Sequence, residues 1–165
     1  MIWNLDQQME MNDEKKIILK NKLFEASRRF VAEKIENLEI SMRAARESGN
    51  DETKSTTGDK HETGKAMMQL EQEKIGIQLN ELQKMSKVLE GISQGFFPGK
   101  MKQGNVVVTN QEKFYISVAA GKISVDGNNY FAISAVSPLG NLFLKSAVGE
   151  AVNFNGKVYQ IQESF

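Results

Sequence analysis

The chain of 165 residues has no cysteine, two prolines and a single histidine. Without thiols it can form no disulfide, thiolate metal site or cysteine nucleophile, which fits a reducing compartment. One histidine cannot build a histidine metal cluster. Neither a glycine-rich phosphate loop nor a nucleophile elbow occurs, so a self-contained active site is not expected. An excess of one charge is missing too, because 21 Lys and Arg balance 21 Asp and Glu. That balance removes any uniform attraction to nucleic acid or anionic lipid. No apolar run approaches the ~20 residues that span a bilayer. Met1-Ile2-Trp3-Asn4-Leu5-Asp6 lacks the basic region and apolar stretch of a secretory signal, so the expected location is the cytoplasm. With 40% hydrophobic and 25% charged residues, the composition is that of a soluble globular protein.

What is present divides into two patterns. Residues 1–12 have little periodicity and read as an extension. Residues 13–48 contain no proline or glycine and are rich in Lys, Glu, Arg, Ala and Leu, all helix formers. Phe24, Val31, Ile35, Leu38, Met42 and Ala45 follow the three-and-four spacing of a coiled-coil seam. Asn12-Asp13-Glu14 supplies a cap and negative charge for the first turn. Residues 48–58 are loop-forming types with no apolar member. A second helical run follows to about Ser93, with Ile75, Leu79, Leu82, Met85, Leu89 and Ile92 on its seam. Two such helices joined by a polar turn should pack antiparallel. Met67, Met68 and Met85 read as core filler, and Gly64, Gly76 and Gly91 weaken the second helix by about 1 kcal/mol each.

Gly95-Phe96-Phe97-Pro98-Gly99 closes the helical half. Residues 105–109 and 113–118 read as strands. Asp126-Gly127 and Asn155-Gly156 are hairpin turns. Ser137 can cap a short helix with Pro138 at its first position, running through Leu142, Phe143 and Leu144. The expected fold class is α+β. Its parts are an antiparallel two-helix coiled-coil hairpin over residues 13–94 with its tip at 48–62, a linker at 95–99, and a small antiparallel β domain with one short helix over 100–165.

Ile133-Ser134-Ala135-Val136-Ser137-Pro138-Leu139-Gly140-Asn141-Leu142-Phe143-Leu144-Lys145-Ser146-Ala147-Val148-Gly149-Glu150-Ala151-Val152 resembles a stretch of the bacterial Gre transcript-cleavage factors. That family's pattern is I-S-x-x-S-P-L-G-x-A-L-L-G-K-x-x-G-D-x-V. Here Leu142, Phe143, Lys145, Ser146 and Glu150 depart from it. The resemblance implies an FKBP-like C-terminal fold that grips the rim of the RNA polymerase secondary channel, with Ser137, Pro138, Leu139, Gly140 and Gly149 as the polymerase-binding residues. It also implies a coiled coil that enters the channel and presents two carboxylates from a G-D-x-x-E-N-A tip.

Gly58-Asp59-Lys60-His61-Glu62-Thr63-Gly64 keeps the Gly, Asp and Glu of that tip at their spacing and replaces Asn-Ala with Thr63-Gly64. The loop before it is longer than the family's compact tip. Asp51 and Glu52, after Ala45-Arg46-Glu47-Ser48-Gly49, are a rival placement. Asp59 and Glu62 are preferred because the second helix begins directly after them. Magnesium favours one or two carboxylates with phosphate and water, and carboxylates three residues apart on a helix can face one ion. A capping box explains the same two residues without any ion, and His61 reads most simply as an exposed spacer.

By this resemblance the partner is RNA polymerase. Nucleic acid is met only within the elongation complex, no membrane is involved, and the protein acts as a monomer. It has no cofactor of its own and shares the polymerase's Mg2+. It would be a regulator of transcription rather than an enzyme, stimulating cleavage of backtracked RNA by the polymerase itself. The competing expectations are a non-cleaving secondary-channel regulator or inhibitor, a coiled-coil adaptor that oligomerises through its seam, and an FKBP-like prolyl isomerase.

Overall fold

A computed structural model describes the backbone of residues 11–52 and 58–165, and the side chains of these except at 51, 52 and 58–61. Trp3, within the expected extension, lies outside the described residues. The fold is α+β: two long helices, then a mostly antiparallel six-stranded sheet carrying one short helix. Helix α1 spans Asp13–Glu52 and helix α2 spans Gly58–Glu90. The start of α1 is capped as its residues dictate, with the Lys15 N–H donating to Asn12 Oδ1 at 3.0 Å. Asp13 and Glu14 sit in its first turn, where the helix dipole favours negative charge.

The seam expected from spacing is the inward face. Val31, Ile75, Leu82, Leu89 and Ile92 are buried, and Ile35, Leu38, Met42, Ala45, Leu79 and Met85 are half-buried. The break expected over residues 48–58 is shorter than the residue types imply, because α1 continues through Ser48, Gly49 and Asn50 to Glu52. Gly49 extends the Met42–Ala45 spacing by one more turn, and a Cβ placed on it would lie 3.5 Å from Met68 Sδ. Contact across the antiparallel pair thus outweighs a helix-propensity deficit of about 1 kcal/mol at glycine. Helix α2 stops at Glu90, before the expected Ser93; the Gly91 N–H donates to the Lys87 and Val88 carbonyls, each at 3.2 Å. Met67 is 66% exposed, so it is not the core filler its type suggested.

The chain forms two compact units. One joins Arg28–Gly91, which is most of the helical pair. The other joins residues 11–27 with Ile92–Phe165, so the first turns of α1 cluster with the sheet.

The sheet contains β1 (Val106–Thr109), β2 (Lys113–Ser117), β3 (Gly121–Val125), β4 (Asn128–Ser134), β5 (Ala151–Phe154) and β6 (Lys157–Ser164), in the order β3-β4-β2-β1-β6-β5. Both Asx-Gly pairs form tight hairpins. Asp126 and Gly127 have φ of 50° and 78°, and Asn155 and Gly156 have 49° and 77°. Two consecutive left-handed residues match the right-handed twist of the flanking strands. The sheet departs from the expected all-antiparallel arrangement at one place. Strand β4 inserts beside β2 and pairs with it in parallel, Phe114 opposite Phe131 through Ser117 opposite Ser134. Strand β6 serves two neighbours, pairing with β5 through residues 157–160 and with β1 through residues 161–164, with a register shift between Val108 and Thr109.

Helix α3 (Pro138–Leu144) covers one face of the sheet. Its Leu139 and Phe143, one turn apart, join Val107, Phe114, Ile116, Val152, Tyr159 and Ile161 in the core. Phe114 packs 5.0 Å from Phe143 and edge-on to Tyr159 at 5.4 Å, centroid to centroid. The first turns of α1 are tied to the same unit by polar contacts. Lys16 pairs with Glu163, and Lys22 Nζ lies 2.8 Å from Asp126 Oδ1.

Candidate functional site

The residues singled out by sequence fall in two places. At the turn between the long helices, Asp51 and Glu52 are the last residues of α1, while Asp59 and Glu62 lie in the opening turns of α2. The preferred pair therefore stands inside the second helix rather than just before it. Only five residues separate the two helix ends, so both pairs occupy the same end of the hairpin. The side chains of Asp51, Glu52, Asp59 and His61 lie outside the described residues; Glu62 is exposed.

The two placements differ in their backbone environment. An acidic side chain near a helix N-terminus is stabilised by the dipole, by about 0.3–1 kcal/mol, and one near a C-terminus is opposed by a similar amount. Asp59 and Glu62 occupy the favourable end. Asp51 and Glu52 occupy the unfavourable end of a helix whose last turn has no basic residue. Two carboxylates alone do not make a closed cation site. Among the described residues, no group of three or more His, Cys, Asp or Glu could hold a metal ion.

The second place is α3 with its flanks. Ser137 is the N-cap: its Oγ accepts from the Gly140 N–H at 3.1 Å and its hydroxyl donates to the Ser134 carbonyl at 2.6 Å. Pro138 takes the first helical turn and Leu139 enters the core. A Cβ on Gly140 would overlap the Ser134 carbonyl oxygen. Each residue of Ser-Pro-Leu-Gly thus has a local structural task. What remains for a partner is the outer face of α3, where Pro138, Asn141, Leu142 and Lys145 are exposed at helical spacing. The exposed apolar residues beside it are Val136, at 88% exposure, and Val148, at 39%. Gly149 is exposed with φ of 94°. Its N–H donates to Ile161 O at 2.9 Å, which holds the end of the motif against β6.

Phe114, Phe143 and Tyr159 are buried and spend their ring faces on one another.

Sequence reasoning passed over Lys20. Its side chain is 4% exposed, and its Nζ donates to Gly95 O and Asn105 Oδ1, both at 2.9 Å. The Phe97 ring centroid lies 5.8 Å away. Among the described residues no carboxylate pairs with it. Burial, and secondarily the Lys102 ammonium, push its pKa down to about 8. Asn105 is itself fully buried and donates to the Phe97 and Lys100 carbonyls at 2.8 and 3.0 Å. The available signal was phase, since Lys20 lies on the same helical face as Leu23, Ser27 and Val31, all buried.

No helix among the described residues is long and apolar enough to cross a membrane. No protein-family model, curated protein or solved structure matches this chain.

Proposed function

We propose that the chain is a Gre-type regulator of RNA polymerase that docks through the outer face of α3 and its flanks and carries acidic residues at the end of its helical hairpin. The observation that carries the reading is the ungapped Ser137-Pro138-Leu139-Gly140 to Gly149 pattern. It is joined in one chain to a long helical pair whose turn end bears two acid pairs. In this reading Asp59 and Glu62 would add oxygen ligands to the polymerase's weakly held second Mg2+. When bound, that ion would supply an activated water for the polymerase's own cleavage of the RNA. Pro138, Leu142 and Lys145 contact the polymerase, while Ser137, Leu139 and Gly140 hold α3 in place for that contact.

The test is transcript cleavage in stalled elongation complexes of the cognate polymerase. Asp59→Asn and Glu62→Gln should each abolish stimulated cleavage while leaving polymerase binding unchanged, and raised magnesium should partly restore it by mass action. Asp51→Asn with Glu52→Gln is the control. Loss of cleavage in that pair alone moves the site to the end of α1. Binding without cleavage by the unmodified protein leaves the non-cleaving regulator as the function, and absence of binding removes the whole reading.

One observation favours a coiled-coil adaptor as the second reading. Met67, Leu70 and Ile77 on α2 are 64–67% exposed, an apolar stripe outside the intrachain seam. Sedimentation across a concentration series separates the two, since a channel-entering hairpin must remain monomeric.

A further inference from the structure

Helix α2 carries a second apolar line besides its intrachain seam. Among the described residues of α2, the large apolar side chains left in solvent are Met67, Leu70 and Ile77, at 64–67% exposure, and Val88, at 39%. With Lys74, Glu81 and Lys84 they fill positions 67, 70, 74, 77, 81, 84 and 88, the alternating three-and-four spacing of a coiled-coil seam. Ile77 lies two residues from buried Ile75 and from half-buried Leu79, hence about 160° around the helix from each. The line therefore faces away from α1. Apolar residues scattered singly over a helix need no explanation, whereas these share one phase and form a face suited to a second helix.

The polar members of the line select that helix and its direction. In a parallel, in-register pair of identical helices, Lys74 meets Lys74, Glu81 meets Glu81 and Lys84 meets Lys84, all within the seam. In an antiparallel pair centred near Ile77, Lys74 of one copy comes within about one turn of Glu81 of the second copy, and symmetry repeats the contact. Leu70 and Ile77 then interleave with their counterparts. The face is complementary to itself in one direction only. A partner helix of uniform charge would satisfy one sign and oppose the other.

The present contacts of these side chains do not hold them back. Lys74 Nζ lies 4.0 Å from Glu71 and Lys84 Nζ lies 2.7 Å from Glu81, with every side chain more than half exposed. Exposed pairs of this kind contribute little and exchange readily.

We infer that the chain pairs with a second copy of itself, antiparallel, through Met67, Leu70, Lys74, Ile77, Glu81 and Lys84 of α2. The inference rests on the adaptor reading and deepens it by naming the occupant of the stripe and its direction. The face is narrow, so the pair is weak, with a self-dissociation constant on the order of 100 µM.

Sedimentation equilibrium of the full chain, from about 10 µM to about 1 mM, brackets that constant, and a monomer–dimer equilibrium is expected. Leu70→Gln and Ile77→Gln keep a good helix former on a solvent-facing side. Each should weaken the dimer at least about tenfold, because each change is made twice in a symmetric pair. Lys74→Glu should also weaken it, by setting carboxylate against carboxylate, and Lys74→Glu combined with Glu81→Lys should restore it. Far-ultraviolet circular dichroism checks that every variant keeps its helices. Direction is read from a spin label on Lys65→Cys, unique in a chain without other cysteines. The antiparallel pair places the two labels about 30–40 Å apart, against less than about 20 Å in a parallel one. A dimer indifferent to Leu70→Gln and Ile77→Gln, or the short label distance, overturns the inference and leaves the adaptor reading standing. A monomer throughout removes both.

Discussion

Replacing Lys20 by methionine isolates a buried charge that no acid among the described residues compensates. In the folded chain its pKa is pushed down to about 8, from 10.5 for the free side chain. Between those values the unfolded chain binds a proton that the folded chain has released. Stability contributed by this group therefore rises with pH across the window and is at its lowest below pH 8. The full span corresponds to about 3 kcal/mol, at about 1.4 kcal/mol per pH unit. Tyr115 and Tyr130 set the upper limit of a clean experiment. Burial raises both, with Asp126 adding to Tyr130, so they begin to destabilise the fold once unfolded tyrosine ionises near pH 10. From pH 8 to 9.5 the Lys20 contribution should amount to about 2 kcal/mol.

Lys20→Met removes the charge and keeps an unbranched side chain in the same space. It also leaves Gly95 O and Asn105 Oδ1 without their donor, at about 1–3 kcal/mol for a buried acceptor. These effects oppose each other at neutral pH, so the slope is more informative than any single value. The assay is urea unfolding followed by near-ultraviolet circular dichroism. All three tyrosines lie in the unit that contains Lys20, so the signal reports that unit. The original chain should gain about 2 kcal/mol relative to the variant between pH 8 and 9.5. Parallel pH profiles, within about 0.5 kcal/mol, would refute the claim that Lys20 is a desolvated, unpaired cation.

Gly140→Ala forces a Cβ onto the Ser134 carbonyl and should destabilise by about 3 kcal/mol or more, the upper range for overpacking, read from urea midpoints. Gly76→Ala is its opposite: no atom lies within 4 Å of the added Cβ, so helix propensity alone should stabilise by about 1 kcal/mol. Ser137→Ala removes the α3 cap and should cost about 1 kcal/mol, with amide exchange at Gly140 rising before exchange in the sheet core; unchanged protection there would mean the cap is redundant.

The sequence by itself determined what depends on neighbours in the chain. The three-and-four spacing from Val31 to Ala45 and from Ile75 to Ile92 placed the seam, because helical phase alone decides which side chains share a face. Asp126-Gly127 and Asn155-Gly156 announced their hairpins through the left-handed conformations those residues tolerate. Ser137-Pro138 announced α3 through cap chemistry. The acid residues were legible as a cluster, although their spacing could not say which helix end would hold them.

Tertiary structure decided what depends on contacts between distant segments. Gly49 stays helical because Met68 lies against it, although its local preference is for a turn. Strand β4 lies parallel to β2 because it inserts between β2 and β3, a pairing over a dozen residues away that no strand propensity encodes. Lys20 is buried because Asn105 and the Gly95 carbonyl meet its ammonium, and a lysine on a helix otherwise reads as solvated. Local preference is a few tenths to 1 kcal/mol per residue, whereas burial contributes several times that per side chain, and where the two conflicted packing prevailed.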